Sequence, residues 1–562
     1  MRITLGKNHT LATIGGNGAA RLGYAYDKRG RLASETSDLS ALVPGLSPQT
    51  VTYGYDALGR RSRLGYPDKS TVNYAYDARG RLTGIEDGST RGAALASYGY
   101  DALGRVAHVV RDNGVATRYL YDMAGQLTEI DHRRGSEVLA AARYTLDILG
   151  RRTAQTREDG IRETYTYDAT SQLIGVDYGT VGAASRRDGF PQSETFAYDA
   201  VGNRTQATET ANAQSQTTNY TANSLNQYTR IDYSLPATRS SLLAYDANGN
   251  LVNDARQTYR YDAQNRLIGV ESTTTRAEFF YDARNRCVLR KYYTKTGQGQ
   301  WVLNTSDSRA LTYDSAWNLL TERTLNGSPA GKYIHGLGAD EVLQFTRSDG
   351  AKLYPLADDL GSTMALISKQ GKVIERFRYT AYGQPTALTP SYSFSPRALG
   401  PSSYRFLYTG REWLASVQLN DHRYRYYSSG LGRWLATDPI GFEGGLNLYT
   451  SLNNNPVCDR DPFGLCTDGE ESRSSTSTIF TARNANGQEE SWSWEAGVEV
   501  TGSMSLSIVE AGATGSIKMS RSGKLGPGKT VTLEAYVSCT CKCNKWVDCH
   551  AVITSIYGNI GQ

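Results

Sequence analysis

Two groups of side chains in this 562-residue chain could do chemistry. The first is a set of carboxylates: Asp421 in "LNDHR", Asp438 in "TDPIG", and Asp459 and Asp461 in "CDRDPFG". Two carboxylates close enough to share a proton can hydrolyse a peptide bond. The ionised one activates water and the protonated one donates to the carbonyl oxygen. Crowding raises one pKa, and the two values then belong to the pair. Arg433 lies among these aspartates, and its planar fork can orient a carboxylate or hold a tetrahedral oxyanion. Each aspartate also has a plainer reading, because Asp before Pro or Gly is a common turn residue.

The second group is the string "CTCKCNKWVDCH" at 539–550. Five of the seven cysteines follow Leu465: Cys466, Cys539, Cys541, Cys543 and Cys549. Four thiolates with His550 could hold zinc, but C-x-C-x-C is tighter than the spacing of structural zinc sites. Disulfides and plain reduced thiols stand open beside that reading. His550 is the only histidine in this segment, and a general base with Glu495, Glu499 or Glu534 is conceivable. The segment has no nucleotide-binding loop, no HExxH and no serine-triad pattern.

The elements that must position these groups are written in the composition. There are 57 Gly and 39 Tyr against 11 Phe and 5 Met, and helical apolar periodicity is hard to find. Tyrosine suits a half-buried pleated surface, so the expectation is an all-β fold. A unit recurs about every 20–30 residues: "YGYDALGRR" (53–61), "YAYDARGRL" (74–82), "YGYDALGRV" (98–106), "YLYDMAGQL" (119–127) and later copies to "FFYDARNRC" (279–287). "YTLDILGRR" (144–152) is a degenerate copy. The two aromatic positions share one strand face. Asp at the first turn position and Gly at the fourth favour a type I turn. Each unit is thus a β-hairpin, and hairpins bury their faces only by joining into a long, coiling antiparallel sheet.

The "YDxxGR" units resemble the YD repeats of Rhs proteins, of TcC subunits of insecticidal toxin complexes and of teneurins, over roughly residues 20–380. Residues 404–465 resemble the Rhs-associated core. The matches are Gly410–Arg411, Arg425–Tyr426–Tyr427, Gly432–Arg433–Trp434, Asp438–Pro439–Ile440–Gly441, Gly444–Gly445, Asn447–Leu448–Tyr449, Asn454–Asn455–Pro456 and Asp461–Pro462 with Gly464–Leu465. Asn420 and the stretch "SSGLG" depart from that pattern. The resemblance implies a strip of β-sheet spiralling into a hollow shell, with a toxin at the C-terminus of the same chain. It implies a cut after the leucine of "DPFGL", at Leu465–Cys466, by an aspartic-type activity of the core. It matches Asp438 best to the catalytic aspartate, with Asp421 as first choice of partner and Asp461 as second. A thiol route, in which Cys466 attacks Leu465 in an N-to-S acyl shift, is the rival. Acid breakage at Asp438–Pro439 or Asp461–Pro462 is another.

The expected organisation is a YD-repeat β-shell over 1–380, a self-cleaving core over 381–465 and a small β-rich effector over 466–562. The expected function is a polymorphic toxin that releases its effector by self-cleavage. The alternative is a non-enzymatic surface scaffold for adhesion or carbohydrate binding. The shell needs no cofactor; zinc in the C-terminal segment is the one candidate. The resemblance implies a cognate immunity protein, and a secretion spike or chaperone as further partners. The net charge of +5 is not the dense basic clustering of a nucleic-acid binder. No apolar run reaches the roughly 18–20 residues of a membrane helix. The first residues, "MRITLGKNHTLATIGGNG", lack a signal-peptide core, so cytoplasmic synthesis and export by a signal-independent route are expected.

Overall fold

The computed structural model describes residues 20–465, apart from 91, 180–189, 235–238, 337 and 394–402. It also describes the strands Ile3–Leu5, Leu11–Gly15, Ser475–Arg483, Glu490–Glu495, Ser520–Leu525, Thr530–Lys542 and Lys545–Gly558, as backbone. The described residues are β-strands joined by turns, with short 3-10 segments and no α-helix. None of them forms a helix long and apolar enough to cross a membrane.

The repeat unit explains the strands. In the copy at 53–61, the amide of Gly59 donates to the Asp56 carbonyl at 3.1 Å, which closes the turn. Asp56 Oδ1 accepts the Arg60 amide and Oδ2 accepts Arg60 Nε. Gly59 sits at φ +85°, and the ladder shifts register between Gly54 and Tyr55. This is a type I turn followed by a glycine bulge, which suits a twisted hairpin. Each unit then locks onto the next. The Arg60 guanidinium covers the ring of Tyr76 at 4.5 Å, and the Tyr76 hydroxyl donates to the Arg61 carbonyl at 2.8 Å. Arg81 with Tyr100 and Arg105 with Tyr121 repeat the arrangement. The Tyr and Arg of the motif therefore hold successive hairpins in register.

The strands pair antiparallel with their chain neighbours, giving a 21-stranded sheet from Ile3 to Leu242 and a 14-stranded sheet from Ala244 to Leu388. The strip winds back along itself. Tyr66 donates to the Tyr333 carbonyl, Lys369 pairs with Asp112, Arg376 with Glu158, and Tyr198 meets Tyr382. These contacts fall in the same order on both windings, which is the path of a spiral. The apolar core lies between windings; Leu64, Ile85 and Val109 of the first pack with Leu320, Ile334 and Leu343 of the second.

A third element crosses the strip. Residues 404–465 carry a four-stranded sheet, Glu412–Leu414, Leu419–Asp421, Tyr426–Ser428 and Arg433–Trp434. It touches both windings: Asn454 reaches Gln172, Tyr449 reaches Gly249, and Arg405 pairs with Glu322. After it, Ser475–Arg483, Thr530–Lys542 and Lys545–Gly558 form a three-stranded sheet, and Glu490–Glu495 pairs with Ser520–Leu525. The chain is all-β throughout its described length, as its tyrosine-rich pattern leads one to expect.

Candidate functional site

The end of the core segment folds back onto the turn between its second and third strands. Residues 461–465 lie beside 422–425, where the Tyr424 amide donates to the Phe463 carbonyl at 3.1 Å. "DPFGL" forms a tight turn. Asp461 Oδ1 accepts the amides of Phe463 and Gly464 at 3.1 and 2.7 Å. Gly464 has φ +70°, and a Cβ there would come 3.1 Å from the Arg425 backbone nitrogen and the His422 carbonyl. Only glycine fits so close an approach. Leu465, the last residue of the turn, is buried.

Arg425 gathers the site. Its Nη2 lies 2.8 Å from Asp438 Oδ2 and 3.8 Å from Asp461 Oδ2. Its Nε donates to the Gly464 carbonyl, and Nη1 donates to the Leu448 carbonyl at 3.3 Å. The guanidinium rests on the Trp434 ring at 4.3 Å. One side chain thus connects two carboxylates with the peptide just before Leu465. Asp438 is 6% exposed and Asp461 1%. Burial pushes the Asp438 carboxyl up, against the pull of the Arg425 charge, and the nearby Asp461 adds to the rise. A carboxyl in that state holds its proton above the usual carboxylate range.

His422 completes the wall. Its Nδ1 is 2.5 Å from the Asp461 carbonyl, and its ring meets Trp434 edge-on at 4.9 Å. Burial and the Arg411 charge push it down to about 3, so the ring is neutral and Nδ1 donates to that carbonyl. Arg423 donates to the Pro462 carbonyl at 3.0 Å, pairs with Asp340 and covers the Phe463 ring at 4.2 Å. Asp340 is held below its ordinary range by Arg411 and Arg423 in spite of its burial, which raises it.

The other sequence candidates stand elsewhere. Asp421 is engaged by Arg290, which it shares with Glu412, and Asp421 Oδ1 accepts the Arg423 amide at 2.7 Å. Arg433 donates to Asn203 and Asn447 and stacks on Tyr228 at 3.9 Å. The structure therefore brings Asp438 together with Asp461, and gives Asp421 and Arg433 partners of their own. Arg425 was legible only as part of the Arg-Tyr-Tyr match, and His422 carried no signal. Cys466 and Cys543 lie outside the described residues, as do the side chains of Cys539, Cys541, Cys549 and His550. The backbone register sets Cys539 opposite Cys549. Among the described residues no group of His, Cys, Asp and Glu could hold a metal ion.

Comparison with known proteins finds relatives of the shell. Residues 145–457 match the teneurin YD-shell model, and residues 76–116 and 100–137 match the RHS repeat. The tRNA3(Ser)-specific nuclease WapA of Bacillus spizizenii is 26% identical over 273 residues, covering 48% of this chain and 11% of that protein. The toxin protein Tse5 of Pseudomonas aeruginosa is 30% identical over 341 residues, covering 50% of this chain and 24% of that protein. The chain thus spans about a tenth to a quarter of these relatives. The structure of TcdB2-TccC3 without its hypervariable C-terminal region superposes with a TM-score of 0.62 at 22% identity, over 80% of this chain and 24% of that one. That likeness shows a shared shell fold.

Proposed function

The chain belongs to the teneurin YD-shell family and carries Rhs repeats; from that premise we propose that it is a toxin cassette that cuts itself at Leu465–Cys466. In this reading residues 1 to about 380 are shell, 381–465 the cutting core and 466–562 the effector. The observation that carries it is Arg425, whose guanidinium joins Asp438, Asp461 and the Gly464 carbonyl. Water attacks the Leu465 carbonyl carbon as Asp461 takes a proton from it. Protonated Asp438 donates to the carbonyl oxygen. When the tetrahedral centre collapses, the C–N bond breaks, Asp461 passes the proton it took to the departing amine of Cys466, and the new Leu465 carboxyl returns a proton to Asp438 and then ionises to a carboxylate. Arg425 holds both carboxylates in place and offsets the charge that forms. Asp421 and Arg433 act as scaffold.

The relatives' names, a tRNA nuclease and a toxin protein, support the toxin class. They do not carry an activity over to residues 466–562. The reading calls for an immunity protein against the effector and for a secretion spike or chaperone. It also calls for synthesis in the bacterial cytoplasm with signal-independent export. Zinc or disulfides at Cys539, Cys541, Cys543 and Cys549 remain a proposal for the effector alone.

Intact mass and N-terminal sequencing of the full chain test this directly. A new N-terminus at Cys466, lost in Asp438→Asn and kept in Cys466→Ala, is expected. An uncut wild-type chain sinks the reading and favours the adhesion scaffold. Growth of bacteria expressing the full chain, against a version stopped at Leu465, tests whether the last segment is toxic.

A further inference from the structure

One hairpin turn of the strip puts a bulky side chain where the repeat wants a small one. The fourth turn position sits at positive φ, and it is Gly in most copies (30, 59, 80, 104, 125, 150), Asn at 226, 265 and 285, and Ser at 171. In "LTYDSAWNL" (311–319) it is Trp317, at φ +66°. A bulky side chain is strained in that conformation, and the strain persists only where surroundings impose it. The turn is otherwise ordinary: the Trp317 amide donates to the Asp314 carbonyl at 3.2 Å. The indole is nearly buried and packs with Phe463 and Leu465, bordered by Tyr424 and Ile440. Its ring lies 5.3 Å from Tyr424 and 6.5 Å, edge-on, from Phe463. The guests of this seat belong to the "DPFGL" turn, and the seat itself comes from the second winding of the shell.

We propose that Trp317 is a positioning residue for self-cleavage: it seats Phe463 and Leu465, so that the bond after Leu465 is presented only once the second winding has closed over the core. This rests on the self-cleavage reading and adds a condition to it. Asp438, Asp461 and Arg425 all come from residues 425–461, whereas the seat comes from the strip. Cutting is thereby tied to completion of the shell.

The test uses the full chain. Trp317→Gly relieves the backbone strain of the turn but leaves a cavity where the indole packed, so a lower melting temperature is expected, and Trp317→Phe, which keeps a ring in the seat, is the comparison for folding. In Trp317→Gly the seat is lost, and cleavage should slow about 10²-fold, as for a misplaced substrate. Trp317→Phe should recover part of the rate, and the pH profile should not move, because the carboxylates are untouched. Phe463→Ala removes the guest instead of the seat and should give the same slowing. In the uncut Asp438→Asn background, Trp317→Gly should raise deuterium uptake at the amides of Phe463, Gly464 and Leu465. Wild-type cutting rate in both Trp317→Gly and Phe463→Ala, with Asp438→Asn uncut, overturns the inference and leaves the self-cleavage reading standing. Unchanged deuterium uptake overturns the seat whether or not the wild type is cut. An uncut wild type overturns the cleavage reading itself.

Discussion

Asp438 and Asp461 meet on one nitrogen of Arg425, at 2.8 and 3.8 Å. They reach it from different turns, one opening "DPIG" and the other "DPFG". The arrangement separates the candidate aspartates by experiment. Asp438→Asn and Asp461→Asn should each lower the cleavage rate by about 10²–10⁴-fold, the usual worth of a positioned acid or base. Asp421→Ala should leave the cut intact and cost stability instead. It removes one of two acids from the buried Arg290, and Glu412 remains, so about 3 kcal/mol is expected, the low end for a broken buried pair. Mass spectrometry reads the first effect and urea unfolding the second. Loss of cutting in Asp421→Ala at unchanged stability would reverse the assignment.

The pH dependence of cutting follows from the same pair. Burial holds Asp438 protonated above its ordinary range. Its acid role is available only while the proton stays on, so the cleavage rate should fall on the alkaline side. The fall should lie above the usual carboxylate pKa of about 4. Newly synthesised chain sampled across pH gives the profile. A rate that instead climbs steadily through pH 9 would favour the Cys466 thiolate.

How far the sequence led depends on how local each feature is. The hairpin unit was legible because its chemistry is confined to a few residues. Asp56, Gly59 and Arg60 bond one another, and the Tyr spacing sets the face. The copy at 311–319 escaped notice because Trp317 stands where the pattern wants Gly. The "TYD" before it and the Asn-Leu after it were the available signal. Asp438 stands out from its own tetrapeptide. Asp461 stood only second to Asp421 as its partner, since its nearness to Asp438 depends on residues 461–465 turning back onto 422–425. Arg290 likewise reaches Asp421 across 131 positions, and no periodicity reports such a contact. The meeting of the windings is of the same kind.

A second titrating group sits where the windings meet. Asp358, beside Asp359, is pushed up to about 7 by burial and by the Asp359 charge. Arg152 of the first winding pairs with Asp359. The folded protein therefore binds a proton at Asp358 that the unfolded chain releases near pH 4. Between those limits stability falls as pH rises, because the native state holds more protons than the unfolded one. Asp358→Asn keeps an acceptor for the Leu360 and Ser362 amides and removes the charge. The variant should match wild type near pH 4 and exceed it at pH 8. Melting curves at both pH values decide, and a variant less stable at pH 8 would mean that the ionised form is favoured there.

The repeat turn gives a prediction about backbone alone. Gly59 has φ +85°, and nothing lies within 4 Å of where its Cβ would be. Gly59→Ala should therefore cost about 1 kcal/mol through conformation, with no clash to add. Gly59→Asn should cost less, because Asn265 and Asn285 adopt φ of 59° and 65° at the matching position. Equal losses for the two variants in urea unfolding would show that something other than left-handed preference governs the turn.

Arg425→Lys asks whether the site needs a fork or only a positive charge. The guanidinium serves Asp438, Asp461, the Gly464 and Leu448 carbonyls and the face of Trp434 at once. An ammonium is a compact point charge and cannot span those directions. It can still neutralise one carboxylate, so the fold should survive while the geometry fails. Cleavage should drop about 10²–10³-fold, as when a preorganised donor is lost. The melting temperature should shift less than in Arg425→Ala, which strands Asp438 and Asp461 without their cation. If Arg425→Lys cuts at the wild-type rate, charge alone suffices, and the alignment of the carboxylates must come from the turns around Asp438 and Asp461.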